Sequence, residues 1–122
     1  MGHRILIVDD EPNIVISLEY LMKKEGFQIA VATDGEAALQ KAAEFIPDLI
    51  LLDVMMPKKS GFEVCEALRA MPALIGVKII MLTAKGRETE VAKGLALGAD
   101  AYVTKPFSTK ELVAQVRSLL EV

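Results

Sequence analysis

Short apolar runs and longer amphipathic stretches alternate along the whole chain. The runs ILIV, LILL and IIML are typical of strands buried on both faces of a parallel sheet. Each run is followed by a stretch whose apolar positions have helical spacing. This alternation predicts an α/β domain with a doubly wound parallel sheet of five strands, helices on both faces and right-handed crossovers.

The predicted element boundaries follow from these runs and from local turn and capping signals. Strands are predicted at Arg4–Val8, Gln28–Ala32, Leu49–Leu52, Lys78–Leu82 and Ala101–Thr104. Helices are predicted at Pro12–Lys24, Asp34–Glu44, Phe62–Met71, Arg87–Leu97 and Thr109–Leu120. Three pairs have the spacing of a capping box at a helix start: Thr33 with Glu36, Ser60 with Glu63 and Ser108 with Glu111. Gly26 and Gly98 lie where a residue in the left-handed conformation is expected to end a helix. No linker interrupts residues 1–122, so we expect a single domain.

Composition and charge narrow the function classes. The chain is 52% hydrophobic and 25% charged, as expected of a globular domain. Its net charge of −3 gives no basic surface for direct nucleic-acid binding. The single cysteine, Cys65, excludes an internal disulfide and fits a reducing compartment. With no apolar run near ~18 residues and no signal peptide visible, we expect a cytoplasmic protein that does not insert into membranes.

Five polar residues end or follow the apolar runs, although they lie far apart in sequence. They are Asp9, Asp10, Asp53, Thr83 and Lys105. Because the carboxyl ends of parallel strands meet at one edge of an open sheet, we expect these side chains to converge there. Three carboxylates, a hydroxyl and an ammonium suit a divalent cation together with a phosphoryl group.

The three carboxylates have distinct predicted roles. Asp53 is the candidate nucleophile, because a carboxylate can attack phosphorus to form an acyl phosphate. Clustered carboxylates repel one another, which raises a pKa or demands a metal, and Mg²⁺ prefers such oxygen ligands. The simpler alternatives remain open: Asp53 as a loop or cap residue, and Asp9 or Asp10 as a cap of the helix that begins at Glu11-Pro12.

Four segments together resemble the receiver domain of two-component response regulators, typified by the chemotaxis regulator. They are ILIVDDEP, LILLDVMMPKKSGFE, IIMLTAKG and GADAYVTKPF, and the resemblance covers nearly the whole chain. It implies a flavodoxin-like strand order of 2-1-3-4-5, which periodicity alone does not give. It also implies a phosphorylation-activated signalling switch and not an enzyme, since a receiver promotes only its own phosphorylation and dephosphorylation. Asp53 would accept the phosphoryl group from a partner histidine kinase.

The resemblance also implies a ligand set for Mg²⁺. Asp10 and Asp53 would bind the ion directly, Asp9 would bind through a water, and the main-chain carbonyl of Met55 would complete the protein ligands. Lys105 would place its positive charge on the phosphoryl oxygens. The Lys105–Pro106 bond would be cis, in a tight turn that aims the ammonium.

A second set of expectations concerns the signal. By resemblance, Thr83 moves toward the phosphoryl group and Tyr102 turns inward as an aromatic switch, although an ordinary half-buried strand tyrosine is the alternative. The fourth helix, fifth strand and fifth helix would form the face for a downstream effector or output domain, with homodimer formation allowed after phosphorylation. Met55 and Lys85 are expected to border the path of the hydrolytic water and to slow self-hydrolysis.

Other functions on the same architecture fit less well. A dehalogenase-type phosphatase needs an acid where Met55 stands, and a flavin carrier needs a neutral loop where Asp9-Asp10-Glu11 stands. The P-loop sequence is missing. A receiver-like module that only docks to partners remains open. The cognate kinase, the pathway and the downstream target are not specified by the sequence.

Overall fold

The computed structural model describes residues 3–56, 58–84 and 88–122 and contains one parallel sheet in the order β2-β1-β3-β4-β5. The strands are β1 (Arg4–Val8), β2 (Gln28–Ala32), β3 (Leu49–Asp53), β4 (Lys78–Ala84) and β5 (Ala101–Lys105). The helices are α1 (Pro12–Lys24), α2 (Gly35–Phe45), α3 (Gly61–Arg69), α4 (Glu88–Ala96) and α5 (Thr109–Leu120). The doubly wound, flavodoxin-like order is therefore confirmed. None of the described helices combines the length and apolar character that crossing a membrane requires.

Alternate residues of the central strands enter two separate core layers. Leu6, Val8, Ile50, Leu52, Ile79 and Met81 pack with side chains of α2 and α3. Ile5, Ile7, Leu49, Leu51, Ile80 and Leu82 pack with side chains of α1 and α5 on the other face. The apolar runs are continuous because both faces of these strands are buried.

Most predicted boundaries agree with the structure, and the differences have local causes. The third helix ends at Arg69 instead of Met71, because Met71 is extended before Pro72, where a short 3₁₀ turn begins. The predicted helix start at Arg87 lies outside the described residues. Three strands continue beyond their predicted ends, so that Asp53 pairs with Leu82, Thr83 with Thr104 and Ala84 with Lys105. The ladder thus holds the backbone of the candidate site.

The capping predictions are partly confirmed. Ser60 and Glu63 form a reciprocal capping box at α3, and Ser108 Oγ accepts from the N–H of Glu111 at α5. The prediction for Thr33 is wrong: α2 begins at Gly35, so Asp34 occupies the cap position and accepts from the N–H of Ala37 at 2.8 Å. Gly26 and Gly98 have φ of 92° and 113°, as the helix-end prediction requires.

Candidate functional site

Adjacent strand ends bring the predicted site residues to one edge of the sheet. Asp53 and Lys105 are the last residues of β3 and β5, and Thr83 is the last but one of β4. Asp9 follows β1 directly, and its N–H donates to the carbonyl of Ala32 at 3.2 Å. Since β1, β3, β4 and β5 are consecutive in the sheet, Asp53 lies between the acidic end of β1 and the end of β4. The predicted convergence is therefore observed.

Asp9, Asp10 and Asp53 form a carboxylate cluster whose ligand oxygens all lie within 4.8 Å of one another. Asp9 is completely buried and Asp53 is 5% exposed, while Asp10 faces solvent. Within the described part of the chain, Asp9 Oδ2 is a buried oxygen that lacks a hydrogen-bond partner. Hard oxygen donors with unsatisfied capacity are what Mg²⁺ binds, so this donor set fits the ion.

The ammonium of Lys105 lies among three carboxylates. Its Nζ is 2.9 Å from Asp9 Oδ2, 3.3 Å from Asp53 Oδ1 and 3.3 Å from Glu11 Oε1. The contacts with Asp53 and Glu11 are hydrogen bonds donated by the ammonium, and the contact with Asp9 is an ion pair. A fixed positive charge therefore stands within reach of any anion attached to Asp53.

Burial and neighbouring charges shift the pKa values of this pair. Burial raises the pKa of Asp53 from 3.8 to about 6, and the Asp9 charge adds to the rise, although Lys105 and the N–H of Met55 oppose it. Burial would lower the pKa of Lys105, but the carboxylates of Asp9 and Asp53 outweigh it and raise that pKa. At neutral pH the Asp53 carboxylate is thus mostly ionised and more basic than an ordinary aspartate. A nearby positive charge stabilises this buried anion.

The loop after β3 folds back over the backbone of Asp53. The N–H of Met55 donates to Asp53 Oδ1 at 3.4 Å, and the N–H of Gly61 donates to the carbonyl of Val54 at 2.8 Å. A Cβ at Gly61 would collide with the carbonyl oxygen of Asp53, so glycine is required for this close approach. The main chain of Met55 therefore lies beside the carboxylate, while 60% of the residue is exposed.

Thr83 lies on β4, the strand next to that of Asp53, and Tyr102 lies on β5. Thr83 is buried, and its hydroxyl donates to the carbonyl of Ala84 at 3.5 Å. Tyr102 pairs in register with Met81, and 45% of the residue is exposed, so its ring is not turned inward in this structure. The Lys105–Pro106 peptide bond is cis. Lys85, the other residue expected near the hydrolytic water, lies outside the described residues.

Sequence reasoning missed Glu11 as part of this site. It treated Glu11 as the start of a helix and as part of an acidic loop that disfavours a flavin carrier. It did not pair Glu11 with Lys105, although the Glu11 carboxylate contacts Lys105 across 94 positions of sequence. The signal was present, because Glu11 extends the acidic pair Asp9-Asp10 at the strand edge where a lysine was expected. A side-chain contact of this kind depends on rotamers that a sequence pattern does not specify.

The comparison with known proteins identifies the family. Residues 5–117 match the family described as the response regulator receiver domain. The chain is 49% identical over 120 residues to the alkaline phosphatase synthesis transcriptional regulatory protein PhoP of Bacillus subtilis. It is 50% identical over 120 residues to the DNA-binding response regulator MtrA of Mycolicibacterium smegmatis. Each alignment covers 98% of this chain but only 49% and 51% of the relatives, so the chain spans about half their length.

Solved structures with the same fold cover almost the whole chain. A putative response regulator from Chloroflexus aurantiacus has a TM-score of 0.95 at 34% identity and covers 100% of both chains. Chemotaxis response regulator CheY4 of Vibrio cholerae has a TM-score of 0.92 at 30% identity and covers 98% of this chain and 99% of its own. The receiver domain of a sensor histidine kinase from Pseudomonas aeruginosa has a TM-score of 0.91 at 28% identity over 100% of both chains. That structure has a magnesium ion coordinated in its active site cleft.

The class of protein follows from the fold, the site and these matches. The chain belongs to the response regulator receiver domains, the signalling modules of two-component systems. Receiver domains bind Mg²⁺ at an acidic site, and this chain has an acidic cluster of Asp9, Asp10 and Asp53. The flavin-carrier, phosphatase and P-loop alternatives therefore fall away.

Proposed function

We propose that this chain is a phosphorylation-activated switch that accepts a phosphoryl group on Asp53 from a partner histidine kinase in a Mg²⁺-dependent reaction. The observation that carries the proposal is the Asp53 carboxylate, clustered with Asp9 and Asp10 and 3.3 Å from the Lys105 ammonium. The switch is a single domain over residues 1–122 and acts in the cytoplasm.

The chemistry assigned to Asp53 is a simple displacement at phosphorus. A carboxylate oxygen of Asp53 attacks the phosphorus of a phosphohistidine, and the phosphorus–nitrogen bond breaks. The leaving ring nitrogen keeps the electron pair, and the ring takes up a proton from water to become neutral imidazole. The product is an acyl phosphate on Asp53. The pKa of about 6 supports this role, because the group is ionised at neutral pH yet more basic than an ordinary aspartate.

The remaining site residues hold the charges of this reaction. Asp10 and Asp53, Asp9 through a water, and the carbonyl of Met55 would hold Mg²⁺. When bound, the ion neutralises charge on the carboxylates and the phosphoryl oxygens. Lys105 donates to a phosphoryl oxygen, and its position beside Asp53 is already set in this structure. The Thr83 hydroxyl, on the strand next to Asp53, donates to another of these oxygens.

The output surface lies beyond Lys105 on the same side of the molecule. A groove of about 870 Å³ runs between α4, β5 and α5 and includes Leu95, Tyr102 and Phe107 in its walls. Movement of Thr83 toward the phosphoryl group makes room for the Tyr102 ring, which reshapes this groove for a downstream effector, an output domain or a second phosphorylated copy. MtrA is named a DNA-binding response regulator, but we propose no direct DNA binding by this domain.

The proposal is tested by phosphoryl transfer from a small donor. With labelled acetyl phosphate and Mg²⁺, we expect the protein to incorporate close to one phosphoryl group, and with EDTA to incorporate none. Label that neutral hydroxylamine releases, and that is lost in base and in hot acid, identifies an acyl phosphate. A folded protein that takes up no label with Mg²⁺ would support a module that only docks to partners.

Met55→Asn is expected to shorten the life of the phosphorylated state. The thioether of Met55 orients water poorly, whereas an amide at this position, two residues after Asp53, both donates and accepts hydrogen bonds. Placing the water in line with the breaking bond lowers the barrier, and we expect a few-fold faster loss of phosphate, corresponding to roughly 0.7 to 1 kcal/mol. The measurement compares phosphate release from the two proteins at equal Mg²⁺, with Met55→Leu as the control. Unchanged or slower release in Met55→Asn would contradict the proposed role of this side chain.

A further inference from the structure

Glu11 contacts the site but has no part in the proposed metal or phosphoryl contacts. It occupies the N-cap position of α1 in an extended conformation, yet its side chain makes no capping hydrogen bond. Its N–H is fixed by Asp9 Oδ1 at 2.9 Å. The carboxylate is therefore not used by the helix, and it reaches the ammonium of Lys105 instead.

The carboxylates around Lys105 compete for the N–H donors of its ammonium. An ammonium has three N–H donors in tetrahedral directions. Two of them are directed at Asp53 and Glu11, each at 3.3 Å, while the closer Asp9 Oδ2 at 2.9 Å is left without a hydrogen bond. Glu11 thus occupies one of the three donors of this ammonium.

We propose that Glu11 is a positioning residue that restrains Lys105 in the unphosphorylated protein and so lowers the affinity of the site for a phosphoryl group. This inference rests on the proposed function, in which Lys105 must turn a donor toward a phosphoryl oxygen on Asp53. In the unphosphorylated protein one of the three donors is held by Glu11. The Glu11 side chain is 62% exposed, whereas Lys105 is largely buried. Water can therefore hydrate the Glu11 carboxylate when its contact with Lys105 breaks.

Two variants of Glu11 separate this contact from the effect of a nearby negative charge. Glu11→Gln keeps the length of the side chain and removes its charge. Glu11→Asp keeps the charge but shortens the side chain by one methylene, and an aspartate at an N-cap is drawn to the backbone N–H groups of its own helix. A restraint by contact is weakened in both variants, whereas repulsion at a distance is weakened only in Glu11→Gln. Glu19→Gln is the matched control, since Glu19 lies on the same helix and pairs with Lys23 at 3.8 Å.

The experiment measures the affinity of the full chain for beryllofluoride, a phosphoryl mimic, at saturating Mg²⁺. Releasing a partly exposed ion pair should tighten binding about two- to fivefold in Glu11→Gln and in Glu11→Asp, with no change in Glu19→Gln. The ¹⁵Nζ resonance of Lys105 in the free protein should move in both Glu11 variants. With Lys105→Gln in the background, Glu11→Asp should have no effect on the affinity.

Three results would overturn the inference. An affinity of Glu11→Asp equal to that of the parent, with tighter binding in Glu11→Gln alone, would show repulsion at a distance. Unchanged or weaker binding in both variants would show that Glu11 does not restrain Lys105. A parent protein that binds no beryllofluoride with Mg²⁺ would overturn the proposed function and this inference with it, whereas a parent that binds while its variants are unchanged overturns the inference alone.

Discussion

Asp53→Asn is expected to abolish phosphoryl incorporation while leaving the fold intact. The substitution replaces one carboxylate oxygen with an amide nitrogen and removes the charge, so the side chain is no longer a nucleophile. Its shape is retained in a place that is almost completely buried. The remaining oxygen can still accept from the N–H of Met55 or from Lys105, so a buried donor is not left without a partner. The expected loss of label from acetyl phosphate and Mg²⁺ is complete within detection.

The matched control for this prediction is Asp34→Asn. Asp34 lies at the same edge of the sheet, two residues after β2, and its side chain caps α2. Since asparagine is as good an N-cap as aspartate, this variant should fold and take up label like the parent. Full labelling of Asp53→Asn, located by peptide mapping on Asp9 or Asp10, would contradict the assignment of the phosphoacceptor.

The sheet and the site edge could be predicted because each depends on short-range pattern. The runs ILIV and LILL end directly before Asp9 and Asp53 and are apolar at every position. A strand that is covered on both faces requires such a continuous apolar run. Once the strands are parallel, their carboxyl ends meet without further information, and the proximity of Asp53 and Lys105 follows. The strand order does not follow in this way, because hydrophobic periodicity indicates that strands are present but does not say which of them lie side by side. It came from the resemblance of the motifs.

The side-chain network of Arg69 shows where sequence reasoning reaches its limit. Its guanidinium donates to the carbonyls of Gly98 and Val77 at 2.9 and 2.7 Å and to Asp100 at 2.8 Å. Asp100 in turn accepts from the N–H of Ile79, so α3 is joined to the start of β4 and to the turn before β5. In the sequence Arg69 is only a basic residue at the end of a helix. Its partners are defined by the packing of three elements, which local pattern does not encode.

The pKa of Asp53 was only partly predictable for the same reason. The clustering of three acids anticipated a raised pKa or a bound metal, and Asp9 does contribute to the rise. The larger cause is the burial of Asp53 at the end of β3, where Gly61 closes onto Val54 by donating its N–H to the Val54 carbonyl. That closure requires glycine at position 61, where a Cβ would meet the carbonyl of Asp53. Tertiary closure, and not charge pattern alone, therefore makes the acceptor basic.

The raised pKa of Asp53 also predicts a pH-dependent cost in stability when Mg²⁺ is absent. The charged groups facing this carboxylate are Asp9 and Asp10 after β1, Glu11 at the start of α1 and Lys105 on β5. The pKa is about 6 in the folded protein and 3.8 in the unfolded chain. The folded state therefore binds more protons between these values, and its free energy of unfolding falls as pH rises from about 4 to about 6. The full difference corresponds to about 3 kcal/mol, as an upper limit.

Asp53→Asn is accordingly expected to be more stable than the parent in EDTA, by about 2 to 3 kcal/mol at pH 7.5 and by little at pH 4. Mg²⁺ binds with full affinity only to the folded parent, so saturating Mg²⁺ stabilises the parent by mass action. The difference in free energy of unfolding between the two proteins at pH 7.5 should then largely disappear. Urea unfolding at pH 4, 6 and 7.5, with EDTA or with Mg²⁺, measures the free energy of unfolding of both proteins under each condition. Glu44→Gln is the control for the loss of one charge, because Glu44 is an exposed acid on α2. A difference that is the same at all three pH values would show that Asp53 does not titrate with a raised pKa. A less stable Asp53→Asn in EDTA at pH 7.5 would show that the contacts of the carboxylate with Lys105 and Met55 outweigh the cost of burying it.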